Sequence, residues 1–149
     1  MSRYELFDLA RVALADLARR GHDITAADCL PLAPPDRPYS HPRLDTLVER
    51  IVAARQNGRP VIVMMGAHPI KLGLSRFLVD LLQRRIITHL GTNGAGIIHD
   101  FELAAFGGTS ESVAKWIRTG QFGLWRQTGR LNELVAQAAA GGEGLGEAV

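Results

Sequence analysis

The chain has 149 residues, of which 46% are hydrophobic and 21% charged, with a formal net charge of +2. That length and balance suit one soluble domain with its own core, and no apolar run approaches the ~20 residues that span a bilayer. There are fifteen arginines and two lysines, Lys71 and Lys115; the arginines are scattered among acids with no basic stripe, which argues against a nucleic-acid partner.

Residues 4–20 read as an amphipathic helix, with Leu6, Leu9, Ala10, Ala13, Leu14 and Leu17 on one side and Gly21 as its stop. The N-terminal stretch Met1–Leu6 lacks the apolar core of a secretory signal, and Cys29 is the single cysteine, so a cytoplasmic protein is expected. Cys29 itself reads as a small apolar residue rather than a nucleophile. Thr25-x-x-Asp28 has the form of a capping box. Five prolines from Pro31 to Pro42 exclude a regular helix or central strand and mark an arm. A second helix is expected over Arg43–Gln56, closed by Asn57-Gly58.

Val61–Met65 is a continuous apolar run, the pattern of a strand buried on both faces. Gly66–Gly73 reads as a loop broken by glycines and Pro69. Leu74, Phe77, Leu78, Leu81 and Leu82 then recur at helical spacing, and Arg84 and Arg85 close that helix where cations favour the carbonyl end. Ile86–Leu90 is a second strand, with His89 expected as a hydrogen-bonded core residue. The segment Gly91-Thr92-Asn93-Gly94-Ala95-Gly96 follows as a glycine loop, and a helix is expected from Ile97 to Phe106. Beyond the Gly107-Gly108 break, Thr109 or Ser110 caps a helix to about Arg118. Leu124–Ala140 reads as helical with an interruption near Gly129. Trp116 and Trp125 read as packing or subunit-interface anchors.

Strand, loop, helix, strand, loop, helix is a βαβ unit of an α/β protein. Its crossover should be right-handed, with both loops at the carboxyl edge of the strands, where open sheets bind ligands. Two such loops feeding helix amino termini form a cradle for an anion, so a nucleotide-type ligand is expected. Gly94 and Gly96 serve either close approach to that ligand or a tight strand-to-helix turn. Lys71 either pairs with a phosphate or is a solvated loop lysine. His68 and His99, one near each loop, are candidates for acid/base chemistry, since imidazole titrates near neutral pH. Asp100 is the candidate for a ribose or amine contact, with Glu102 nearby; favourable charge on a first helical turn is the alternative. No ligand spacing supports a metal. Two strands alone make a marginal sheet. Missed strands, association or a longer parent chain would each resolve this. The tail, where Leu145–Val149 reads as the first turn of a cut-off helix, favours truncation.

The run GAHPIKLGLSRFLVDLLQRRIITHLGTNGAGIIHDFELA resembles the deoxyhypusine synthase family and its bacterial deoxyhypusine-synthase-like members. Gly73-Leu74 matches the Gly-Leu that ends the family's serine-rich loop, and Thr92–Asp100 occupies its Thr-Thr-Ala-Gly-Gly-Val-Glu-Glu-Asp segment. Gly120–Gly129 is also similar. The likeness covers about residues 60–130. It implies a Rossmann-like parallel sheet with flanking helices, incomplete in this chain, of which residues 60–149 are the first part; residues 1–59 read from their own pattern as a helical region carrying the Pro-rich arm 31–42. It also implies NAD as cofactor and a homotetramer. The implied activity is oxidation of a polyamine such as spermidine and transfer of its aminobutyl group through an imine on a lysine. By position, the resemblance places Gly66, Ala67, His68 and Lys71 in the first nucleotide loop. It places Thr92, Asn93, Gly94, Ala95 and Gly96 in the second, with His99 and Asp100 after it. Ile98 and His99 stand at the paired glutamates, and the imine-forming lysine belongs to a C-terminal half outside this chain. The expected function is therefore an NAD-dependent aminoalkyl transferase acting on a small amine or polyamine. The alternative is a non-catalytic nucleotide-binding or assembly module of the same fold. A phosphosugar site using Lys71 and the 109–112 stretch is a third reading.

Overall fold

In the computed structural model, residues 3–6 and 8–148 are described. Met1 and Ser2 of the signal reading, Phe7 and the Leu9 side chain of the expected first helix, and Val149 of the tail lie outside the described residues. By contact the chain groups into two units, Ile24–Thr109 and Met1–Asp23 with Ser110–Val149.

The first unit runs β1 (Ile24–Thr25), a 3-10 turn, α1 (Leu44–Gln56), β2 (Ile62–Met64), α2 (His68–Lys71), α3 (Ser75–Gln83), β3 (His89–Gly91), α4 (Gly94–Phe106) and β4 (Gly108–Thr109). Strands β2 and β3 are parallel, with Ile62 opposite His89, Val63 opposite Leu90 and Met64 opposite Gly91. Strands β1 and β4 are antiparallel. The architecture is thus mixed α/β, about half helical, with small sheets. The expected capping box is present, closing the 3-10 turn Ala26–Asp28 rather than an α-helix: the backbone N–H and the hydroxyl of Thr25 both donate to Asp28 Oδ2, at 2.8 and 2.7 Å.

Two expectations for the strands need correcting. β2 is not buried on both faces: Ile62 is 59% and Met64 83% exposed. Side chains alternate across a strand, so the register puts His89 beside Ile62 on this open face. His89 is exposed accordingly, not a core residue. The inner face carries Val63 and Leu90, both half-buried. A continuous apolar run does not reveal how many faces are covered.

The segment that leads into the Pro-rich arm, Asp28 to Leu30, packs on Gly73. Leu30 N–H donates to the Gly73 carbonyl at 2.9 Å, and a Cβ on Gly73 would lie 2.8 Å from the Asp28 carbonyl oxygen. With φ of +81°, Gly73 also occupies the left-handed region that favours glycine. The Gly of Gly73-Leu74 therefore has a packing cause of its own.

In the second unit the expected helix over 4–20 is replaced by two 3-10 turns, Leu9–Arg11 and Leu17–Arg19. The reason is visible at Ala15 and Asp16. Ala15 N–H donates to Leu124 O, and Arg126 N–H donates to Ala15 O, so its backbone is committed to a bridge. The Asp16 carboxylate accepts from Ala18 N–H at 2.8 Å and starts a new turn. Tertiary pairing has overridden an amphipathic pattern of modest propensity. Next come α5 (Val113–Trp116), α6 (Arg126–Gly141) and α7 (Leu145–Ala148). Ser112, not Thr109 or Ser110, caps α5, because Thr109 is already paired in β4. α6 passes through Gly129 uninterrupted; one glycine costs a helix only about 1 kcal/mol, and Leu131 is buried two residues on. Trp125, 2% exposed, packs with Ala15, Leu17 and Trp116, the two indoles meeting edge to face at 5.0 Å. Both tryptophans are packing anchors of this unit.

Candidate functional site

The parallel pair fixes where its two following segments go. Beyond Met64 the ladder gains one more rung, Met65 N–H to the Gly91 carbonyl at 2.9 Å. The next residues on each strand then emerge side by side at the carboxyl edge. A Cβ built on Gly66 would lie 3.9 Å from Asn93 Nδ2, so the two glycine-bearing segments are in van der Waals reach. The structure brings them together.

Each segment leads into a helix. The first is not the open loop expected over residues 66–73: His68–Lys71 forms α2, with Pro69 in its first turn. Proline suits that place because its missing N–H would have no intrahelical partner there. Gly66 and His68 are exposed, whereas Ala67 and Lys71 are half-buried. α2 packs against α4.

The second segment is capped by its own asparagine. Asn93 Oδ1 accepts from Gly96 N–H at 3.1 Å, so α4 begins at Gly94, three residues earlier than the apolar pattern implied. The first amides of a helix have no intrahelical acceptor, and their aligned dipoles favour an anion. With the Gly96 amide engaged by the cap, Gly94 and Ala95 carry the leading donors, and both residues are exposed. The two glycines differ. A Cβ on Gly94 would meet nothing within 4 Å, whereas one on Gly96 would overlap the Thr92 hydroxyl. Gly96 is buried and serves the strand-to-helix turn, while Gly94 faces open space. Thr92 and Asp100 are exposed.

His99 lies on the second turn of α4, half-buried, and its Nδ1 is 2.8 Å from the Thr109 hydroxyl on β4. Thr109 in turn donates to Glu102 Oε2 at 2.6 Å. Thr109 is 0% and Glu102 1% exposed. By sequence pattern alone Glu102 is a charge on the helix's early turns and Thr109 a cap. Its one available signal was the three-residue spacing of His99 and Glu102, which shares a helical face. The long-range pairing of Thr109 with Ile24 that carries its hydroxyl there has no local signature.

Among the described residues no group of three or more His, Cys, Asp or Glu is placed to hold a metal, and no helix is long and apolar enough to cross a membrane. Compared with family models, curated proteins and solved structures, the chain matches none.

Proposed function

We propose that this chain binds a dinucleotide, NAD, across the paired segments 66–71 and 92–96, as a Rossmann-like unit of the deoxyhypusine-synthase-like kind. The observation that carries the reading is the approach of Gly66 to Asn93 beside the open head of α4 at Gly94. Parallel strands delivering two close-approach segments to one edge, one of them feeding a helix amino terminus, make the usual setting for a pyrophosphate. Lys71, His68 and Asp100 are the polar side chains that the reading assigns to phosphate, ribose or substrate contact. Bound nicotinamide supplies hydride acceptance, and the protein supplies position and electrostatics. The reaction proposed from the resemblance is transfer of an aminoalkyl group from a small polyamine, in a homo-oligomer.

Titration calorimetry of the full chain with NAD tests binding, and Asn93→Asp tests the place. Aspartate caps a helix about as well as asparagine, so the fold is kept, yet it sets a negative charge where a phosphate would lie. Micromolar binding to the wild type and at least a tenfold loss in Asn93→Asp are expected. No heat with the wild type, or equal affinity in both, would contradict the proposal.

One observation favours a second reading, a nucleotide-binding module without turnover. Ile98, 38% exposed, stands where the resemblance expects an acid. NADH formation with a panel of polyamines would exclude it, and saturable NAD binding without turnover would support it.

A further inference from the structure

Where β2 and β3 begin, at the amino edge of the parallel pair, two helices end in the same way. α1 closes with Gly58 N–H donating to Arg55 O at 3.3 Å and Arg59 N–H to Ala54 O at 2.8 Å. α3 closes with Arg85 N–H donating to Leu82 O and Ile86 N–H to Leu81 O, both at 2.9 Å. This closure puts one residue in the left-handed region, and glycine is its usual occupant. Gly58 fills the place after α1 with φ of +63°, but Arg85 fills it after α3 with φ of +55°. Glycine would take that conformation with less strain, so backbone preference does not account for an arginine there.

Arg55, Gly58, Arg59, Pro60, Arg85 and Thr88 line one hollow of about 270 Å³, with no acid among them. Among the described residues none of these three arginines has an ion pair, whereas the adjacent Arg84 holds Asp80 at 3.2 Å. The Thr88 hydroxyl accepts from Val61 N–H at 3.0 Å and donates to Val61 O at 3.1 Å, so it ties the two strand starts together and has no proton left for a ligand. The N–H groups of Gly58 and Arg59 are spent on closing α1, and Pro60 has none. Recognition therefore falls to the three guanidinium groups, all on exposed residues. Cations offset the dipole at a helix's carbonyl end, which is the simplest cause for arginines in this place. The magnitudes decide: two helix ends carry about half a negative charge each, so about two of the three positive charges stay uncompensated.

We infer that the hollow between Arg55, Arg59 and Arg85 is a binding site for a phosphate dianion, free or as the terminal group of a small monoester. A phosphate carries about −1.5 to −2 charges at neutral pH, which matches the excess, and its oxygens suit the planar guanidinium fork. The volume lies just under the ~300–1,000 Å³ of pockets that enclose drug-sized ligands, so only a short substituent fits beside the phosphate. The site is independent of the nucleotide reading: it lies at the amino edge of β2 and β3, whereas the glycine segments leave the carboxyl edge.

The full chain, labelled with nitrogen-15, is titrated without NAD, once with inorganic phosphate and once with glycerol 3-phosphate, at an ionic strength fixed by chloride. The readout is the arginine Nε–H signals and the amides of Gly58, Arg59, Arg85 and Thr88. Saturable shifts in the millimolar range or tighter are expected with at least one probe, weakening as salt is raised because the site is exposed. The two probes distinguish the sources: the tighter one is the form the hollow takes. Arg85→Gly removes a guanidinium while relieving the left-handed strain, so it should melt no lower than the wild type and bind at least tenfold more weakly. Arg59→Gln should show a similar loss. A wild type that does not saturate with either probe in the millimolar range would overturn the inference, as would wild-type affinity in both folded variants. Binding that is lost in Asn93→Asp but kept in Arg85→Gly would place the phosphate at the other edge and overturn it equally. NAD binding is read in its own titration, and its absence leaves these shifts and their loss in Arg85→Gly unaltered.

Discussion

Gly94 and Gly96 look equivalent on the page, and the structure gives them different causes. A Cβ on Gly96 meets the hydroxyl, Cβ and Cγ2 of Thr92, a β-branched side chain with restricted χ1 freedom. Gly96→Ala is therefore expected to destabilise the protein by about 1–3 kcal/mol, the range for forcing extra volume into a packed site. A Cβ on Gly94 meets nothing, and alanine is the better helix former, so Gly94→Ala should be neutral or stabilising by up to about 1 kcal/mol. Urea denaturation of the two variants checks the pair. Equal losses would mean that Gly94 is also held by packing, and the open space assigned to it would be wrong. Because that space is where a ligand would come, the same Gly94→Ala protein should bind NAD more weakly than wild type while remaining at least as stable.

At the scale of elements, the turn at Thr25–Asp28 makes a pH-dependent prediction. Hydrogen bonds from the Thr25 hydroxyl and then from its backbone N–H hold the Asp28 carboxyl below its ordinary value of 3.8. A carboxylate depressed in the folded state contributes stability above its unfolded pKa, and that contribution is lost as pH falls through the folded value. Melting temperature should thus hold down to about pH 4 and then decline, with a shallower decline in Thr25→Val; an identical acid limb in the two would contradict this. The turn was legible because its donor and acceptor are three residues apart. So were α1, α3 and α4, whose apolar spacing is local, and the order strand, helix, strand at residues 61–91. Strands β1 and β4 were not legible, since each is two residues long and Ile24 meets Thr109 across 85 positions. The first helix was misread because Ala15 spends its backbone hydrogen bonds on Leu124 and Arg126, partners that no local pattern announces. In the candidate site, the two glycine segments were legible from punctuation alone. Glu102 was not recognised as buried, because a carboxylate on an early helical turn ordinarily faces water.

For the whole molecule, the contact units place the paired glycine segments, both flanking helices and the His99 network within Ile24–Thr109. Nucleotide binding is therefore proposed as a property of that unit's own edge, and its reach should be visible residue by residue. The most direct measurement is an amide map of the full chain titrated with NAD. The account predicts that Gly66, Ala67, His68 and Asn93 through Gly96 shift together and saturate at one affinity, while the amides around Trp125 in the other unit stay still. A map in which only one of the two segments moves, or in which neither does at millimolar NAD, would contradict it.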